Sequence, residues 1–316
     1  MKKKIKIWIT GPRGMVGSAI IRKLRIKKQF KILTESREKL NLLDQRSVDF
    51  WIKNKKPDIV IMTAAKVGGI YANDSYPAEF IYENLQIQNN IIDSSKKNKV
   101  KKLIFLGSSC IYPRNCKQPI KEKYLLNGKL EKTNQWYAIA KIAGIKMIQA
   151  YRKQYSCNFI SLMPCNMYGP GDNYDELNSH VLASLIRKFY LAKKNKEDFV
   201  EVWGSGKPLR EFMHVDDFAD AVLCAMKKYN SDAPLNVGTR HELSISKLAT
   251  LISKQINYKG KILYNKKFPD GTPRKILDSS KIRNLGWRPK INIIDGIKKT
   301  LKNFANESIN NNSNKR

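Results

Sequence analysis

The sequence has no apolar run that approaches a membrane span; Lys or Asn interrupts nearly every hydrophobic stretch, so no spanning helix is expected. Cysteine is sparse and odd in number, at positions 110, 116, 157, 165 and 224, without paired metal-ligand spacing. That pattern argues against a disulfide framework or a zinc site and for a reducing, cytoplasmic compartment. No small-residue cleavage site follows the basic start Met1-Lys2-Lys3-Lys4, so no signal peptide is expected. Acidic residues are few, 27 Asp and Glu against 60 Lys and Arg, for a net charge of +33. The lysines are spread along the chain instead of gathered in one stripe. The excess therefore reads as a basic, solvated surface, not a specific nucleic-acid footprint, and it suits an anionic substrate. No internal repeat is visible.

What is present fits a large α/β chain. At 316 residues with 42% hydrophobic content, it can fill one large or two modest domains. Residues 5–10 read as a buried strand, followed by Gly11-Pro12-Arg13-Gly14-Met15-Val16-Gly17 and a helix over 18–24. Strand, glycine-rich turn and helix form the setting that a dinucleotide fingerprint requires. Gly11 permits the turn, Gly14 lets backbone approach a pyrophosphate, and Gly17 lets helix pack on strand. A second strand over 30–33 ends near Glu35 and Arg37, where an acidic residue would hold the ribose of NAD and an arginine the 2′-phosphate of NADP. With Arg13 as a second cation, NADP is favoured. Asp44 could meet the adenine amino group or cap a helix.

Further strands are expected over 57–65, 102–106 and 159–164, with helices over 77–97 and from Tyr137 onward. Residues 67–70 read as a loop. This alternation predicts a Rossmann-type doubly wound parallel sheet, with a smaller C-terminal α/β substrate lobe. The expected division is 1–167 with 212–240 for the cofactor domain, 168–211 with 241–305 for the substrate lobe, and a frayed polar tail over 306–316. Tyr137 and Lys141 are four residues apart, which places them on one helical face. A free phenol has a pKa of ~10, and a neighbouring ammonium would draw it toward the working range for proton transfer to a carbonyl. The Ser108-Ser109-Cys110 end of the 102–106 strand looks like the facing wall of an active site.

These pieces resemble the extended short-chain dehydrogenase/reductase family and, within it, the GDP-L-fucose synthases. The resemblance covers the chain to about residue 300. It rests on Gly14-Met15-Val16-Gly17-Ser18-Ala19, Ala64-Ala65-Lys66-Val67-Gly68-Gly69-Ile70, Leu106 to Pro113, Tyr137 to Gly144, Asn178-Ser179-His180-Val181, Trp203-Gly204-Ser205-Gly206 and the 269–275 loop. It implies a catalytic triad of Ser108, Tyr137 and Lys141, and an epimerisation pair of Cys110 and His180. It implies that Leu106, Gly107, Ser108 and Ser109, with Pro164, Cys165, Asn166 and Met167, line the cofactor, and that Lys141 and His180 border it. It places Lys188, Trp203, Arg210, Asp270 and Lys275 at the GDP-sugar. The implied reaction is NADPH-dependent conversion of GDP-4-dehydro-6-deoxy-D-mannose to GDP-L-fucose by a homodimer, without metal, membrane or nucleic-acid partner.

Two other readings stay open at the level of sequence. A sugar-nucleotide 4-epimerase or dehydratase with tightly held NAD would use the same Tyr137/Lys141 core. It would not need Cys110 and His180, and it would favour an acid at position 37. A dinucleotide-sensing protein associated with nucleic acid is suggested by charge alone, and the intact Ser108, Tyr137 and Lys141 set argues against it.

Overall fold

The computed structural model describes residues 3–313. The first half alternates strand and helix: β1 (Ile5–Thr10), α1 (Met15–Arg25), β2 (Phe30–Leu33), α2 (Gln45–Lys55), β3 (Ile59–Met62), α3 (Ile70–Ser75), α4 (Pro77–Lys97), β4 (Lys102–Leu106), α5 (Gln135–Tyr155) and β5 (Phe159–Pro164). The chain continues through β6 (Asn166–Tyr168), α6 (Val181–Asn195), β7 (Phe199–Trp203), β8 (Leu209–His214), α7 (Val215–Lys228) and β9 (Leu235–Val237). It ends with β10 (Glu242–Ser244), α8 (Ile245–Ile256), β11 (Lys261–Asn265), β12 (Arg274–Lys275), α9 (Ser280–Asn284) and α10 (Ile293–Ser313).

Six strands form the large sheet in the order β2-β1-β3-β4-β5-β9, every pair parallel. Helices cover both faces of such a sheet, so its strands are apolar on both sides instead of alternating. β4 and β5 are buried along their whole length. The expected Rossmann-type doubly wound sheet is what forms. From β1 the chain turns to β2 on one side and returns to β3 on the other. The crevice outside the carboxyl ends of β1 and β3 is thus the topological switch point.

A smaller unit has its own core of Leu182, Leu185, Ile186 and Phe189 from α6 with Leu248, Ala249 and Ile252 from α8. With Ile245, both sets have i, i+3, i+4, i+7 spacing, which gives each helix one apolar stripe. Around them β8 pairs with β6, β10 and β12, while β7 and β11 form a separate parallel pair. Leu277, Ile282 and Trp287 pack into the core of the large sheet, although they lie within the 241–305 stretch assigned to the substrate lobe. Ile70 opens α3, so the loop expected over 67–70 is one residue shorter. α10 runs to Ser313, past the point where a frayed tail was expected, and residues 314–316 lie outside the described residues. Among the described residues, no helix is long and apolar enough to cross a membrane.

Asp217 on α7 ties the C-terminal segment to the large sheet. Its two carboxylate oxygens accept from the backbone N–H groups of Lys290 and Ile291 at 3.0 and 2.9 Å, and its carbonyl accepts from the Trp287 indole at 3.2 Å. The residue is buried. Asp217→Ala would leave two backbone donors without their charged acceptor. We expect it to lower stability by about 2–4 kcal/mol, read from the urea midpoint.

Candidate active site

The glycine loop joins β1 to α1 at the switch point. Gly11 has φ +62°, and Gly14 N–H donates to Gly11 O at 3.2 Å to close the turn. A Cβ at Gly17 would collide with the Gly11 carbonyl, so helix and loop approach this closely only with glycine there. Gly14 differs. A Cβ there would meet only Gly11 O, at an ordinary 3.6 Å, so protein packing does not require glycine at this position. α1 begins at this residue with no side-chain cap and no acidic residue in its first turn. A bare, uncrowded helix N-terminus suits an anion such as a pyrophosphate. The Thr10 hydroxyl accepts from the N–H groups of Thr63 and Ala64, both at 3.0 Å, and so fixes the exit of β3 beside that of β1.

α5 brings Tyr137 and Lys141 to the end of β4. The packing is close: a Cβ at Gly144 would lie 2.5 Å from the Phe105 ring, and the Gln88 amide on α4 donates to Ala140 O at 2.7 Å. Lys141 Nζ donates to Leu106 O at 3.0 Å and lies 4.9 and 5.6 Å from the Phe105 and Tyr137 ring centroids. The Ser108 hydroxyl lies on the Tyr137 side of the same wall and favours the ionised phenol.

The electrostatics differ from the expectation that Lys141 draws the phenol pKa down. Burial pushes Tyr137 well above the usual phenol range, the Cys110 thiol beside it adds to the rise, and the Ser108 hydroxyl offsets part of it. Burial also brings Lys141 down to about 8. Tyr137 lines the cavity and is half-buried. In the free protein burial therefore favours the protonated phenol.

Cys110 sits in the short helical turn that follows β4, its N–H donating to Ser108 Oγ at 3.2 Å. Asn134 Nδ2 and Lys275 Nζ each approach its sulfur at 3.7 Å. His180 immediately precedes α6. The segment before it is held when Gly69 N–H donates to Asn178 O at 2.9 Å. The imidazole stays open to the cavity, while the surrounding protein lowers its pKa and keeps it neutral near pH 7.

In the smaller unit, Lys188 Nζ donates to Glu201 O at 3.0 Å and lies 4.6 Å from the Trp203 ring. Trp203 stacks on Phe268, with centroids 4.2 Å apart and planes 10° from parallel. Arg210 is tethered to Leu209 O at 2.9 Å. Asp270 accepts from Ser205 N–H and Ser205 Oγ, both at 2.7 Å, so both of its carboxylate oxygens are engaged in joining two loops.

The expected site residues meet in one cavity of about 1020 Å³. It receives the whole 11–17 loop, Arg37, residues 106–110, Tyr137, Lys141, residues 164–167, His180, Lys188, Trp203, Arg210, Asp270 and Lys275. Asp44 is the exception. It does not line the cavity but caps α2, accepting from Arg46 N–H at 3.1 Å and Ser47 N–H at 3.3 Å, because a helix start leaves backbone donors that a short carboxylate can reach. Sequence reasoning missed Asn134, Phe268 and Asp172. Asp172 lines the cavity with a buried Oδ2 that has no hydrogen-bond partner, and burial raises its pKa to about 7. Only the place of Asn134, three residues before Tyr137, offered a signal.

The class of protein follows from this fold and site: the sequence model of the NAD dependent epimerase/dehydratase family matches residues 7–238, and the chain belongs to that family. Within it, the chain is 52% identical to the putative GDP-L-fucose synthase 2 of Arabidopsis thaliana, over 95% of this chain and 92% of that protein. Among solved structures, a GDP-L-fucose synthetase from Naegleria fowleri bound to NADP superposes with a TM-score of 0.89 at 28% identity, covering 98% of this chain and 96% of the other. A GDP-mannoheptose C4 reductase from Campylobacter jejuni with NADP bound gives 0.88 at 37% identity, covering 96% and 99%.

Lys141 makes this site costly to stability. Its folded pKa of about 8 lies below the ~10.4 of an exposed lysine, so the unfolded chain binds the proton more tightly. The penalty is full below pH 8 and is relieved as pH rises toward ~10.4. Lys141→Met is therefore expected to stabilise the protein at pH 7 by roughly 2 kcal/mol, after the lost bond to Leu106 O is offset. Urea unfolding at pH 7 and pH 10 checks this: the advantage should shrink at the higher pH.

Proposed function

We propose that the protein converts GDP-4-dehydro-6-deoxy-D-mannose to GDP-L-fucose, inverting C3 and C5 and then reducing C4 with NADPH. The observation that carries this reading is a single cavity that joins Ser108, Tyr137 and Lys141 to both Cys110 and His180. The GDP-L-fucose synthase names of the relatives support it. The larger lobe is read as the cofactor domain and the smaller as the GDP-sugar lobe. The bare α1 N-terminus and Gly14 suit the pyrophosphate, and Arg13 and Arg37 suit a 2′-phosphate. Bound NADPH supplies the hydride for C4.

The C4 ketone of the substrate acidifies the protons on C3 and C5. A thiol and an imidazole, with ordinary pKa values of ~8.5 and ~6.5, can take and return protons near neutrality. His180 is neutral there and can accept one. Cys110, flanked by Lys275 and Asn134, is the complementary group. The enolate oxygen that forms at each inversion receives hydrogen bonds from Tyr137 and Ser108. Because burial keeps Tyr137 protonated, the same phenol then gives its proton to the C4 alkoxide. Lys141 would hold the cofactor ribose and pass a proton from solvent back to the phenol. Lys188 and Arg210 face the diphosphate, Trp203 and Phe268 offer the base a flat apolar wall, and Asp270 orders their loop through Ser205.

We read the enzyme as a homodimer through α4 and α5. Tyr82, Trp136, Ile139 and Tyr155 on these two helices are exposed, which supports that face. The five free cysteines suit a reducing cytoplasmic compartment.

The test is one incubation with GDP-4-dehydro-6-deoxy-D-mannose and NADPH in deuterated water, read by proton NMR. Stoichiometric NADPH oxidation with GDP-L-fucose deuterated at C3 and C5 is expected. Cys110→Ser and His180→Gln should each lower fucose formation by ~100-fold or more, the scale of a lost acid or base. Reduction without exchange would indicate a C4 reductase and remove the roles of Cys110 and His180. No turnover with NADPH or NADH would defeat the reading.

A further inference from the structure

Glu35 poses a problem for an enzyme that uses NADPH. It follows β2 and lines the cavity, at the place where an acidic side chain binds the ribose hydroxyls of NAD and repels a 2′-phosphate. In this structure its carboxylate is engaged elsewhere. Oε2 accepts from the Trp51 indole N–H at 3.3 Å, and Oε1 accepts from the Ser36 backbone N–H at 3.3 Å.

Trp51 is well placed to hold it. The residue belongs to α2 and is only 8% exposed. Its ring packs on Trp8 of β1, with centroids 4.4 Å apart, and Trp8 is itself buried in the core of the large sheet. A buried indole N–H needs an acceptor, and Glu35 is the one that it has. The other nearby acid, Glu38, is also occupied: it pairs with Arg13 at 2.8 Å on the exposed side of the loop. Arg37 lines the cavity beside these groups.

The geometry points to Trp51 as a positioning residue for cofactor choice: its indole latches Glu35 against α2, so the cavity presents Arg37, with the Glu38-paired Arg13 beside it, to a 2′-phosphate instead of a carboxylate to a ribose diol. This rests on the NADPH reading above and adds the device that lets the chain bind that cofactor while carrying an acidic residue after β2. Glu35 contributes little to cofactor selection while Trp51 holds it, and it becomes a ribose ligand once released.

The experiment measures NADPH and NADH dissociation constants on the full chain for wild type, Trp51→Phe, Glu35→Gln and the double variant. Phenylalanine keeps an aromatic ring against Trp8, removes the N–H donor and gives up the second ring's volume, which the melting curve reports. The NADPH-over-NADH preference is expected to fall ~tenfold in Trp51→Phe, the size of a charged hydrogen bond gained by the ribose, and to return in the double variant. Glu35→Gln alone should change it by less than about threefold, since a held, half-exposed charge acts weakly at a distance. A Trp51→Phe protein with an unchanged melting curve and an unchanged preference would overturn the latch. If Trp51→Phe does not fold, Glu35→Gln decides alone: a gain of tenfold or more in NADPH preference would show that Glu35 already faces the ribose. A wild-type preference for NADH would defeat the NADPH reading itself. The effect of Trp51 is measured relative to wild type, so the two failures are distinct.

Discussion

Because the six strands of the large sheet run parallel, each return from one strand to the next must cross outside the sheet, and all their carboxyl ends open at one edge. The rest of the molecule depends on that constraint. The glycine loop after β1, the Thr63-Ala64 exit of β3, the Ser108 to Cys110 turn after β4 and the Pro164 to Met167 segment after β5 all line one cavity for this reason. Cys110 and Lys275, 165 positions apart in the chain, become neighbours without any one segment carrying the site. The smaller unit needs only to lay α6, Trp203 and the 270–275 segment across that edge to close the other wall.

Desolvation sets the protonation states of the site more strongly than any pair of side chains does. Lys141 is buried and Tyr137 half-buried, and desolvation moves each toward its neutral form, the phenol upward and the ammonium downward. Lys141 spends its hydrogen bond on Leu106 O, so it anchors α5 to the end of β4 as well as flanking the phenol. His180 is also shifted toward neutrality, although it sits on the lobe opposite the large sheet. The cavity therefore contains a protonated donor and a neutral imidazole before any ligand adds its own charge.

Hydrogen bonds between distant segments then place the remaining groups. Cys110 follows β4, whereas its neighbours Asn134 and Lys275 come from the start of α5 and from β12. β12 pairs with β8, so the register of that pairing, Lys275 opposite Arg210, brings two cations to the same wall. Glu35 shows the same principle in reverse, since Trp51, sixteen residues further along the chain, takes up its carboxylate.

The parallel sheet was legible in the sequence because its strands are buried on both faces, which leaves short, mainly apolar runs at 5–10, 102–106 and 159–164, and because glycine spacing at 11, 14 and 17 reports a local turn. The i, i+4 spacing of Tyr137 and Lys141 is likewise a local property of a helix. The return of Leu277, Ile282 and Trp287 to the first core was not legible, nor was the engagement of Asp270 by Ser205, because both depend on segments that meet only after folding. Asp44 had two local roles open to it, and the helix start beside it took the carboxylate that an adenine might otherwise have met. By itself the sequence determined the strand order's raw material, the phosphate-type loop and the residue types of the chemistry, since those are set by nearest neighbours along the chain. Which proton each group holds, and which way Glu35 points, only the tertiary structure decided, because burial and long-range hydrogen bonds exist only once distant segments are packed together.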